Sequence, residues 1–168
     1  MLESITSKVV SAVAVIVLLG SVVGFFSIER SALEERHFRQ MCGSVRDAMD
    51  SLSSVNAATQ LNITFGDDRP GLKLDGSFRN RPYDIEIYPG QVIFRQDGLA
   101  AVSTFIHGIH PWDPGPFGNG TIYVSAQDLE SLDAAHRALK TTSGKDLDAE
   151  RRMVVVSGAI TYQTFAHV

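Results

Sequence analysis

The sequence predicts an α+β fold in which a long N-terminal helix, transmembrane in its first part and amphipathic in its second, precedes a small antiparallel β-rich head with one further helix. Three observations predict it. Val9 to Ile28 contains no charged residue and has about the length needed to cross the hydrocarbon core of a bilayer. The residues that follow keep apolar side chains at mostly three- and four-residue steps, the period of a helix with one face to bury. From about residue 59 the period shortens to two, and Asp-Gly and Ser-Gly pairs separate apolar runs, as in strands joined by hairpins. The chain therefore reads as a transmembrane and stalk helix over 1–58 and a head domain over 59–168.

A cleaved secretory signal would have a shorter apolar region ending in small residues, whereas Phe25 and Phe26 stand at the end of this one. A buried core helix is rarely apolar all round over such a length, so a retained membrane anchor is expected. After it, Leu33, Phe38, Met41, Val45, Met49, Leu52 and Val55 form the stripe, with Glu34, Glu35, Arg36, Arg39, Arg46, Asp47 and Asp50 between them. No proline precedes Pro70, and Gly43 is the one glycine between Gly24 and Gly66. A single rod from about Ser7 to about Val55 is allowed, roughly 70 Å long at about 1.5 Å per residue. Its stripe should pack on the head or on neighbouring stalks. Within the apolar run, Gly20 and Gly24 form a G-x-x-x-G with Ser21 beside them, a spacing that lets a second helix come close.

In the head, Tyr83, Ile85 and Ile87 alternate with Asp84, Glu86 and Tyr88, which predicts a strand. "QVIFRQ" and "LAAVSTFI" follow, joined by Asp97-Gly98, to make a three-stranded meander. Pro89-Gly90 suits a type II turn. Ser157-Gly158 should join "RMVVV" to "AITYQTF" in a last hairpin, and "QLNITF" and "LKLDG" should add short edge strands. "TIYV" reads as a strand and Ser125–Lys140 as a helix, with Ser125 and Asp128 in a capping-box pattern and Leu129, Leu132 and Leu139 to dock it.

Composition and motifs argue against several functions. A net charge of −4 leaves no basic footprint for a phosphate backbone, so nucleic acid is not an expected partner. The single cysteine, Cys42, cannot form an intramolecular disulfide. His37 lies five residues before it, on another face of a helix, so Cys42 reads as a small member of the apolar stripe. His107 and His110, followed by Asp113, offer metal-ligand atoms. The glycines and prolines of "HGIHPWDPGPFGNG" read instead as a stiffened surface loop. Asp67-Asp68 and the acids Asp146, Asp148 and Glu150 lack the glycine and terminal glutamate of a calcium loop. No nucleophile-elbow, P-loop or dinucleotide-binding pattern occurs. No catalytic residue, metal ligand or cofactor is assigned, and an enzyme is not expected.

Asn62-Ile63-Thr64 and Asn119-Gly120-Thr121 are candidate N-glycosylation sequons. Lys8 precedes the apolar run and Arg30, Arg36 and Arg39 follow it, a count that taken alone places the head in the cytoplasm. The sequons, and the common surface design of an N-terminal helix with a β-rich head, favour a head outside, which is the expectation adopted.

The order of parts, "SKVVSAVAVIVLLGSVVGFF" running into "SIERSALEERHFRQMCGSVRDAMDSL" and then a small β-rich head, resembles type IV pilin-like proteins, the archaeal kind in particular. It is also similar to the single-span, β-headed accessory proteins around archaeal surface filaments. The resemblance implies that the hydrophobic half-helix packs into a filament core while the head faces solvent, with a membrane pool before assembly. A membrane-anchored structural subunit is thus expected, with the lipid bilayer, copies of itself or other filament or membrane-complex subunits as partners. The alternative is a single-span sensor whose extracytoplasmic head binds a small molecule or wall component around Trp112, Phe117 and Tyr123.

Overall fold

With no proline before Pro70 to stop it, the N-terminal helix α1 runs over Leu2–Ser54. The computed structural model describes residues 2–66, 71–112, 122–124 and 138–168. The chain divides into two compact units, Met1–His37 and Phe38–Val168, and the division falls inside α1.

The first unit is helix. The second contains the remainder of α1 and ten strands: β1 (Thr59–Phe65), β2 (Leu72–Leu74), β3 (Asp84–Tyr88), β4 (Gln91–Gln96), β5 (Leu99–Thr104), β6 (His110–Pro111), β7 (Ile122–Val124), β8 (Leu139–Thr142), β9 (Leu147–Val156) and β10 (Ala159–His167). One sheet has the order β2-β1-β9-β10-β6, with β7 also paired to β9. The other is antiparallel, in the order β5-β4-β3-β8.

Three two-residue turns set the hairpin registers. Asp97 and Gly98 (φ 46° and 81°) join β4 to β5, and Ser157 and Gly158 (φ 50° and 87°) join β9 to β10. Positive φ at both central residues gives the turn twist that matches paired strands. Arg79 and Asn80 (φ 51° and 58°) make the third such turn, closed by the Phe78–Arg81 bridge. Gly71 is required for a different reason: a Cβ there would collide with the carbonyl oxygen of Asn62, so its absence lets the chain lie against β1 as β2 begins.

The core forms where the second part of α1 meets both sheets. Phe38, Met41, Cys42, Val45, Met49 and Leu52 cluster with Ile85, Ile87, Val92, Phe94 and Ala101 of one sheet and Ile63, Leu147, Ala149 and Ala166 of the other. Burial of each large apolar side chain contributes about 1.5–3 kcal/mol relative to exposure. The stripe is thereby satisfied within the head from Phe38 to Leu52.

The meander and the last hairpin form as their alternation predicts, and four sequence expectations need correction. β1 is an interior strand, because β9 pairs along it from Thr59 to Ile63 while β2 lies on its other side. Leu139 and Lys140 belong to β8, where they pair with Ile87 and Glu86, and not to the end of a helix. Gly90 does not take a positive φ, so Pro89-Gly90 is not a type II turn. Val55 lies just past α1 and is 40% exposed. The rest of the predicted helix, with Ser125, Asp128, Leu129 and Leu132, lies outside the described residues, as do Asp67, Asp68, Asp113, Phe117 and Asn119.

Candidate functional site

The feature with the clearest chemical demand is the apolar part of α1. From Val13 to Ile28 each large apolar side chain is at least 49% exposed (Val22), rising to 73% at Ile28. Such a continuous surface needs an apolar environment, lipid or protein, because leaving it in water forfeits the free energy of burial. Over Val13–Ser54 the helix is long and apolar enough to cross a membrane. The Ser21 hydroxyl donates to the Val17 carbonyl at 2.8 Å, which satisfies a polar group inside the apolar stretch. Gly20 and Gly24 have no atom within 4 Å of where a Cβ would stand, so this face is open to a neighbouring backbone. Just past the stretch, Arg30 and Glu34 pair at 2.9 Å across one helical turn. Leu33, also in this unit, is 58% exposed.

The remaining packing residues lie in the head. Phe38 meets Phe78, Tyr83 and Phe94 with ring centroids 4.6, 5.6 and 5.9 Å away. The Cys42 thiol donates toward the carbonyls of Ala101 at 3.5 Å and Val92 at 3.6 Å. Burial pushes its pKa up, outweighing the hydrogen bonds that favour the thiolate, which makes it a packing residue rather than a nucleophile. The Tyr83 hydroxyl donates to the Asp75 carbonyl at 2.8 Å. Its pKa is driven far above the ordinary tyrosine value, first by burial and then by the charges of Asp75 and Cys42.

Polar chemistry is spread over the head. Asp50 of α1 accepts backbone N–H bonds from Ile106 at 2.9 Å and His107 at 3.2 Å, pinning that loop. His107 thus sits by Asp50, whereas His110 sits by Gln163 at 3.2 Å. Among the described residues no group of three His, Cys, Asp or Glu side chains is arranged to hold a metal ion. Asn62 is exposed in β1, with Thr64 of its sequon buried. Trp112 packs its edge against Phe165, 6.1 Å between centroids. A cleft of about 340 Å³ beside β3 and β8 is lined by Asp84, Glu86, Lys140 and Lys145 among others. Burial opposes ionisation of Glu86, but hydrogen bonds from Lys140, Arg95 and Tyr88 prevail and hold its carboxyl below the usual range.

One buried cluster has no counterpart in the sequence reading. Glu150 and His167 are 3% and 1% exposed, with 3.1 Å between Glu150 Oε1 and His167 Nε2. Arg152 Nε donates to Glu150 Oε2 at 2.6 Å. The signal that could have found it is the pairing of β9 with β10, which sets Phe165 opposite Glu150 and His167 opposite Asp148. No family model, curated protein or solved structure matches this chain. What the arrangement supplies chemically is an exposed apolar helical surface and a head held together by packing.

Proposed function

We propose that this chain is a membrane-anchored structural subunit, pilin-like in plan, whose N-terminal helix crosses the bilayer and assembles into or beside a cell-surface filament, with the head outside the cytoplasm. The observation that carries this reading is the uncovered apolar surface from Val13 to Ile28, on the same helix whose residues Phe38 to Leu52 complete the core of the head. In the bilayer the apolar residues are satisfied by lipid. On assembly they exchange lipid for sister helices, and Gly20 and Gly24 set the closest approach. Van der Waals packing drives that exchange, since lipid tails are as apolar as the side chains.

Immuno-electron microscopy with an antibody against the head, on intact cells and on sheared surface material, tests this directly. Regular decoration along filaments is the expected result. Label confined to the envelope of intact cells would remove the filament part and leave an anchored accessory or sensor. Label that appears only after permeabilisation would overturn the outside head and agree with the arginines that follow the apolar run.

A further inference from the structure

The edges of the two sheets differ in how they are protected against pairing with another chain. An edge strand presents unpaired N–H and C=O groups, and short length, proline or a lysine blunts it. In the first sheet β2 has three residues with Lys73 at its centre, and β6 has two and includes Pro111. In the second, β8 carries Lys140, whose ammonium lies 3.3 Å from Glu86. β5 has none of these devices. It is six residues long, Leu99–Thr104, without charge or proline. Its register with β4 is unbroken from Gln96 opposite Leu99 to Gln91 opposite Thr104, so no bulge bends it away.

The direction of each backbone group on β5 follows from the hairpin that starts it. The two-residue turn at Asp97-Gly98 makes Gln96 and Leu99 a hydrogen-bonded pair, and in an antiparallel ladder such pairs alternate. Leu99, Ala101 and Ser103 therefore turn their N–H and C=O groups to β4, and the phase carries on to Phe105, whose N–H donates to the Gly90 carbonyl at 3.0 Å. Ala100, Val102 and Thr104 turn theirs away from the sheet, and among the described residues no strand stands there. The side chains of Ala100 and Thr104 are exposed and that of Val102 is 56% exposed. On the other face Ala101 is buried beside Cys42.

We infer that β5 is a docking strand, and that its occupant is an extended, uncharged segment of another polypeptide that joins the four-stranded sheet as a further strand. Backbone hydrogen bonds to Ala100, Val102 and Thr104 give such a contact its affinity, and alternate side chains give it selectivity. With no charge on β5 to be paired and Val102 exposed near its middle, Val and Thr at alternate positions fit the partner best. A second copy of this chain does not fit. Antiparallel β5 strands of two copies would be related by a twofold axis perpendicular to the sheet. Phe38 lies by Phe94 and Cys42 by Val92, so α1 runs along the strands here, and that axis would point the two α1 helices in opposite directions. One bilayer does not accept both in the anchored arrangement proposed above, whereas the edge is open whether or not the chain is anchored.

Hydrogen exchange followed by nitrogen-15 NMR of the full chain in detergent micelles tests this. The probe is a synthetic peptide of alternating Val and Thr, N-methylated along one edge so that it cannot stack on itself. In the free chain the amides of Ala101 and Ser103 should be protected and those of Ala100, Val102 and Thr104 should not. Saturating peptide should slow exchange at these three by about tenfold or more, and the same peptide methylated along both edges should leave them unchanged. Val102→Pro deletes one outward N–H without touching the ladder to β4. It should abolish the effect at Ala100 and Thr104 while Ala101 and Ser103 stay protected, which shows the fold intact. No change with the singly methylated peptide would overturn the proposal, as would equal protection by both peptides. So would protection of the three amides before any peptide is added, which, if it grows with protein concentration, identifies a second copy as the occupant.

Discussion

Phe38 is the first apolar residue of α1 within the head, fully buried among Phe78, Tyr83 and Phe94. Phe38→Ala should cost about 3–5 kcal/mol, the usual range for removing a buried ring, measured by denaturant unfolding of the full chain in mild detergent. Tyr83 beside it gives the fold a pH dependence. Its folded pKa is raised above the ordinary value of about 10, so the folded state keeps a proton that the unfolded state releases. The stability this contributes is fully present below about pH 10 and is lost as pH rises through the folded value. The unfolding midpoint should therefore fall in strong alkali, and Tyr83→Phe should flatten that fall. At this scale the stripe was legible, since Phe38, Met41, Val45, Met49 and Leu52 recur at helical spacing and are all buried. The Glu150–His167 contact was not legible. The two are 17 residues apart, and only the β9–β10 register brings them together.

Elements were legible where their signal is local. Asp97-Gly98 and Ser157-Gly158 accept the positive φ angles that a tight hairpin needs, so these hairpins could be read from dipeptides between apolar runs. The place of β1 could not, because an interior strand differs from an edge strand only in having a second neighbour, and that neighbour, β9, begins at Leu147. Leu139 and Lys140 continue a helical pattern in sequence, yet pairing with Ile87 and Glu86 draws them into β8; tertiary contacts override local propensity in such short segments. For α1 the open Gly20 and Gly24 positions support a specific prediction. Changing both to Leu should weaken self-association in detergent, read by energy transfer between labelled copies, while membrane insertion persists. Unchanged association would remove this face from the assembly surface.

At the scale of the whole molecule, one helix makes two opposite demands. The apolar stripe from Phe38 to Leu52 is buried in the head, whereas the large apolar side chains from Val13 to Ile28 are exposed among the described residues. Length and composition made the apolar run visible in the sequence. What surrounds it was not visible there, because lipid and a sister helix present the same apolar surface. The central claim is that this run lies in a bilayer, and its most direct test is protease protection of the full chain reconstituted in liposomes, followed by an alkaline carbonate wash and mass spectrometry. A protected peptide that spans Val13 to Ile28 and stays with the lipid is the predicted result. Digestion of that stretch, or release of the intact chain into the carbonate supernatant, would contradict the account.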